Sequence, residues 1–149
     1  MGANFREKSL ATTGAMLFVP QGTRQTGSPQ IRQRSVLICA PSRGLCRTIA
    51  QIVNGLGVQA VAATDGSAAI RLGAMHAPDL VLHAENMPGL RAMDFLDAGL
   101  GHLLNRRALL VDRRSRGLPR WLPVIKTPLE ISRCQREILE LLHSMDQSG

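Results

Sequence analysis

The sequence predicts an α/β fold built on a parallel sheet. Three observations carry that expectation: five short apolar stretches, helical apolar spacing between them, and Gly, Pro or Asp-Gly at the junctions. Val36–Cys39 opens on β-branched and large apolar residues and reads as a strand covered on both faces. Pro41 and Ser42 then open a helical pattern with Leu45, Ile49, Ile52, Val53 and Leu56 on one face, ended by Gly55 and Gly57. Val58–Thr64 is the second strand and Asp65–Gly66 a turn. Ser67–Met75 is a short helix with Ile70 and Leu72 inward, stopped before Pro78. Leu80–His83 is the third strand, Met87–Gly89 a loop and Leu90–Leu104 a third helix. Ala108–Val111 is the fourth strand, and Leu122–Ile125 a weaker fifth.

The last helix is predicted from Thr127 to about Met145. Thr127 is placed as its cap, Pro128 at the first helical position and Glu130 three residues after the cap, the pattern of a capping box. Its inward face is read as Ile131, Cys134, Ile138, Leu141, Leu142 and Met145. Strands alternating with helices imply right-handed crossovers. Five at this spacing suggest a flavodoxin-like three-layer sandwich with five parallel strands in order 2-1-3-4-5. Ligand chemistry in such sheets lies beyond the carboxyl ends of the strands. Those positions are Ala40–Pro41, His83–Glu85, Asp112 and Lys126.

A chain of 149 residues is about one domain's worth, with some thirty residues to spare. The surplus is assigned to residues 1–34, a flexible N-terminal tail or linker punctuated by Gly and Pro. Its one apolar island, Ala15–Val19, is expected either to add a short strand or to dock on the domain. The regular domain is placed at 35–146, with 147–149 as a C-terminal tail.

Composition removes several functions. Aromatics are 3% of the chain, too few for a base-stacking nucleic-acid platform. No apolar run is long enough to span a bilayer, and no secretory signal is evident, which points to a cytoplasmic protein without membrane partners. Three cysteines without CxxC spacing (Cys39, Cys46 and Cys134) argue against a disulfide framework or a zinc site. The net charge of +7 is concentrated in Arg106, Arg107, Arg113, Arg114, Arg116, Arg120 and Lys126, opposed there only by Asp112. This block reads either as a solvated loop or as a surface for an acidic partner or phosphates.

Four stretches together resemble the receiver domain of bacterial response regulators, over residues 35 to about 145. They are Ser35–Ser42, Thr64–Ile70, Pro78–Gly89 with its Asn86-Met87-Pro88, and Lys126–Leu129 with one residue inserted before the proline. The resemblance implies a receiver-like fold and a phosphoryl-transfer site. In that family, an aspartate after the third strand takes a phosphoryl group from a phosphohistidine. Two acids after the first strand hold Mg2+, and a hydroxyl and a lysine after strands four and five grip the phosphate.

Carried over, those positions become Ala84, Ala40 with Pro41, Asp112 and Lys126. Only the lysine matches. Alanine offers neither nucleophile nor metal ligand, so phosphorylation at the family position is excluded, and no metal or cofactor is expected. Asp112 opposite Lys126 is read as a salt bridge filling the vacated pocket. Between strands four and five, Gly117, Pro119 and Pro123 forbid a normal helix, so the fourth helix of a receiver is expected to be shortened or absent. Trp121, framed by Arg113, Arg114, Arg116 and Arg120, is then either a plug in the gap or an interface anchor.

The expected function is that of a phosphorylation-independent pseudo-receiver, a protein-interaction module in two-component signalling. Its partner would be a histidine kinase, a phosphotransfer protein or an effector, with a second copy of the chain as a further candidate. The alternative is a basic nucleic-acid-binding regulator using the Arg106–Arg120 block. A small enzyme is the weakest reading, because the chain has no glycine-rich phosphate loop, nucleophile elbow or metal-ligand cluster.

Overall fold

Strands that are apolar on both faces need cover on both faces, and here helices supply it. The computed structural model describes residues 5–9, 15–20, 34–84, 87, 92–111, 124–126 and 130–148. A seven-stranded sheet runs through β1 (Phe5–Ser9), β2 (Ala15–Pro20), β3 (Ser35–Cys39), β4 (Gln59–Ala63), β5 (Leu80–Ala84), β6 (Arg107–Val111) and β7 (Val124–Lys126). Their order in space is β1-β2-β4-β3-β5-β6-β7. The five strands from β3 to β7 are parallel, and counted among themselves they lie in the expected order 2-1-3-4-5.

The helices are α1 (Arg43–Asn54), α2 (Gly66–His76), α3 (Ala92–Asp97) and α4 (Ile131–Ser148), with a 3-10 helix at Gly101–Arg106. Alternation along each strand divides the core in two. Val36, Ile38, Leu80 and Leu82 pack with Ile49 and Val53 of α1 and Ile138 and Leu142 of α4. Leu37, Val61 and Val81 pack with Leu72 of α2, Phe95 of α3 and Leu103 of the 3-10 helix. The result is the expected three-layer sandwich.

Five expectations are corrected. Residues 1–34 do not behave throughout as a tail. Ala15–Pro20 joins the sheet as β2, antiparallel to β4, and Phe5–Ser9 pairs outside it as β1. The charged sequence of β1 carries no apolar alternation that would announce a strand, but it suits an outermost edge.

The third helix is not continuous from Leu90 to Leu104. It stops after Asp97 because Gly99 enters the left-handed region at φ +75°. The Leu100 N–H then reaches back to the Phe95 carbonyl (2.7 Å) and the Gly99 N–H to Leu96 (3.1 Å), a Schellman closure sealed by the buried Phe95 and Leu100 side chains.

The last helix starts later than the capping box implied. Its first described bond runs from the Cys134 N–H to the Glu130 carbonyl (2.8 Å), so Glu130 is itself the flanking residue rather than the third helical one. Ile131, placed on the inner face, is 62% exposed. At the other end α4 continues to Ser148, through two of the three residues expected to form a C-terminal tail. Thr127, Pro128 and the whole β6–β7 connection, where the fourth helix of a receiver would lie, fall outside the described residues.

Candidate functional site

Parallel pairing brings the carboxyl ends of β3, β4, β5, β6 and β7 to one edge of the sheet, as the crossovers require. Ala40 follows β3 there; it is fully buried, and its N–H donates to the Ala63 carbonyl at 3.1 Å, which extends the β3–β4 ladder by one step. Pro41 is exposed beside it. Ala84 is the half-buried last residue of β5, and its backbone lies opposite Leu110. Lys126 ends β7 opposite Val111. The edge thus gathers Ala40, Pro41, Ala84 and the backbone of Lys126. Asp112, Arg113, Arg114, Arg116, Arg120 and Trp121 lie outside the described residues.

Neighbouring polar groups at this edge are committed to the helices. The Ser42 hydroxyl accepts from the Leu45 N–H (3.2 Å) and caps α1. The Asp65 carboxylate accepts from the Ala68 N–H (2.8 Å) and caps α2. Among the described residues no three His, Cys, Asp or Glu side chains converge as a metal cage would need. Burial pushes the Cys39 thiol up, and raises Cys46 and Cys134 to about 11. All three are free, buried and protonated at neutral pH, hence poor nucleophiles and poor ligands.

Of the arginine block, Arg106 and Arg107 are described. Arg106 ends the 3-10 helix and Arg107 opens β6 at the amino edge of the sheet, while Arg113 and the rest follow the carboxyl end of that strand. β6 alone spans about 16 Å. Arg106 is also engaged, donating to the Asp79 carbonyl at 3.4 Å. Arg106 and Arg107 thus stand at the amino edge, a strand length from the carboxyl edge, and the arginines from Arg113 to Arg120 lie outside the described residues.

Two buried polar side chains stand out on the sheet and its cover. His83 lies on the α2/α3 face, its backbone between Cys39 of β3 and Leu109 of β6. Its Nδ1 faces the Ala84 carbonyl at 3.3 Å, while its Nε2 is buried with no partner among the described residues. Burial drives its pKa down to about 4, and the positive charge of Arg107 pushes the same way against the Ala84 hydrogen bond. Asn54, buried at the end of α1, donates from Nδ2 to the carbonyls of Val58 (2.7 Å) and Phe18 (3.3 Å), tying β2 to the helix. Only the strand register places Arg107 and His83 on one face.

Comparison with solved structures decides the fold. A signal receiver domain from Vibrio parahaemolyticus superposes with a TM-score of 0.66 at 17% identity, covering 78% of this chain and 95% of that one. The signal receiver domain of an HD domain-containing protein from Pseudomonas fluorescens gives 0.66 at 15% identity, over 78% and 99%. A response regulator receiver domain from Methanospirillum hungatei gives 0.62 at 15% identity, over 79% and 100%. This chain has the receiver fold. No protein-family model and no curated protein sequence matches it. The receiver-like likeness is therefore one of architecture, with β3 to β7 as its five strands and β1 and β2 extending the sheet beyond β4.

Proposed function

We propose that this receiver-like domain is a pseudo-receiver, a protein-interaction module of two-component signalling that works without phosphorylation. One observation carries the reading. Ala84 ends β5 at the carboxyl edge, where the resemblance puts the phosphoacceptor, and a methyl group cannot hold a phosphoryl group. Ala40 and Pro41, at the acidic-pair positions, add no oxygen that could bind Mg2+. A fold kept without its chemistry is useful for its surfaces, so the domain acts by binding rather than as an enzyme.

The partner is a histidine kinase, a phosphotransfer protein or an effector in the cytoplasm. No described helix is long and apolar enough to cross a membrane. Arg113, Arg114, Arg116, Arg120 and Trp121 form the proposed contact surface, since Arg and Trp concentrate binding energy at interfaces. Incubation with acetyl phosphate and Mg2+ followed by intact mass measurement tests the first half: no phosphoryl adduct is expected, and an acid-labile adduct would overturn the reading. For the contact surface, Trp121→Ala is expected to leave folding intact and weaken partner capture at least tenfold. Unfolding instead would assign Trp121 to the core.

A further inference from the structure

The most unusual part of this sheet is its β4 side, where the chain's own N-terminal hairpin is seated. β2 pairs antiparallel with β4 in the register Ala15↔Ala63, Met16↔Ala62, Leu17↔Val61 and Phe18↔Ala60. Large residues of β2 therefore sit beside small ones of β4: Met16 next to Ala62, and Phe18, fully buried, next to Ala60. Both helical layers close around the strand, since β2 touches α1 on one face and α2 on the other. Asn54 adds a directional contact by donating to the Phe18 main-chain carbonyl at 3.3 Å. A main-chain hydrogen bond, a ladder and alanine-floored positions for alternate side chains are the ingredients of strand addition.

The tether to this hairpin is long. β2 and β3 are separated by β4 alone, about 10 Å across two strand spacings. Fourteen residues, 21–34, join them, and that length can reach roughly 46 Å. A linker of that contour length does not by itself oblige the hairpin to stay seated. Tethering holds it there at an effective concentration on the order of millimolar.

We infer that the β4 edge is a strand-acceptor slot, filled in cis by Ala15–Pro20 and open by exchange to an extended segment of a partner protein. The chemistry of the slot defines that segment. It lies antiparallel to β4, has large apolar residues two apart to take the places of Met16 and Phe18, and has no proline within the four paired positions. This surface is on the opposite side of the sheet from Lys126, so the inference stands whether or not the carboxyl edge accepts a phosphoryl group.

The test uses the full chain and a fluorescein-labelled peptide of residues 13–21, read by fluorescence anisotropy. In the variant Phe18→Ser the cis strand is weakened, and the peptide is expected to bind at least tenfold more tightly than to the unaltered chain. The same peptide carrying Met16→Asp and Phe18→Asp is expected not to bind. Hydrogen exchange on the unaltered chain supplies a second measurement: β2 amides should exchange through an opening that leaves β3 and β5 protected. Absence of binding to a folded Phe18→Ser chain would overturn the inference, as would equal binding of both peptides. So would unfolding of Phe18→Ser, or exchange of β2 only together with β3, because either makes the hairpin an inseparable part of the core.

Discussion

Asp79 and Ser35 clasp each other at the amino edge of the sheet. The Ser35 N–H donates to Asp79 Oδ2 at 2.9 Å, and the Asp79 N–H donates to the Ser35 carbonyl at 2.8 Å. Asp79 precedes β5 and Ala84 ends it, so about 17 Å of strand separates this carboxylate from the carboxyl edge. Its role is to satisfy the N–H that opens β3.

Removing that acceptor leaves the buried Ser35 N–H without its partner. Asp79→Ala should cost about 2 kcal/mol of stability, the range for a lost hydrogen bond to a charged group. Asp79→Asn keeps an acceptor oxygen and should cost less. Urea unfolding of the two variants checks this. Equal losses, or none, would mean that the clasp does not stabilise β3.

A second clasp joins α4 to α1. Gln135 donates from Nε2 to the Ile52 carbonyl at 3.2 Å, one of the carbonyls left open at the end of α1. A Cβ on Gly55 would lie 2.6 Å from that nitrogen, although the Gly55 backbone (φ −61°) suits any residue. Gly55→Ala therefore acts by displacing Gln135. Gln135→Ala should cost about 1 kcal/mol. Gly55→Ala should be destabilising in the natural background, and neutral or stabilising by up to about 1 kcal/mol once Gln135 is gone. Additive losses in the double variant would refute this coupling.

Placing a carboxylate at position 84 is a sharper test of the proposed pseudo-receiver reading. Ala84→Asp places a carboxylate at the end of β5, but Ala40 is buried with no side-chain oxygen and Pro41 has none either. Without the metal ligands, the charge of a transferring phosphoryl group is not neutralised. Ala84→Asp alone should remain unphosphorylated by acetyl phosphate and Mg2+ in intact mass spectra. Efficient Mg2+-dependent labelling of this variant would show that the edge still binds the metal.

The parallel strands were legible because each is a short apolar run bounded by turn residues, and βαβ chirality then leaves little choice of topology. Ala40, Pro41 and Ala84 could be placed at the carboxyl edge for the same reason. What escaped depends on partners distant in sequence. Phe5–Ser9 has no strand signature, and only pairing with β2 makes it one. The break at Gly99 was obscured by apolar residues on both sides of it, Phe95 and Leu100, which are buried in the same cluster although the helix has ended between them. His83 is legible as a buried strand residue, but Arg107 beside it follows from the register of β5 against β6, which no local pattern encodes.

That burial makes stability depend on pH in a definite direction. The ordinary histidine pKa of 6.5 falls to about 4 in the fold, chiefly through burial, with the Arg107 charge adding to it. The folded state therefore holds His83 neutral, and in this range the unfolded chain binds the extra proton. The sign follows from linkage: stability rises with pH wherever the unfolded state carries more protons. The His83 contribution is fully present above pH 6.5, is lost as pH falls toward 4, and amounts to about 3 kcal/mol across that interval. His83→Phe fills a similar volume without a titrating group. Urea midpoints taken from about pH 7.5 to about pH 4.5 should fall steeply for the natural chain and much less for the variant, the difference isolating His83 from every other acid and base. Parallel pH profiles would mean that His83 is protonated as readily in the fold as outside it, and that the pocket beside Arg107 is open to water.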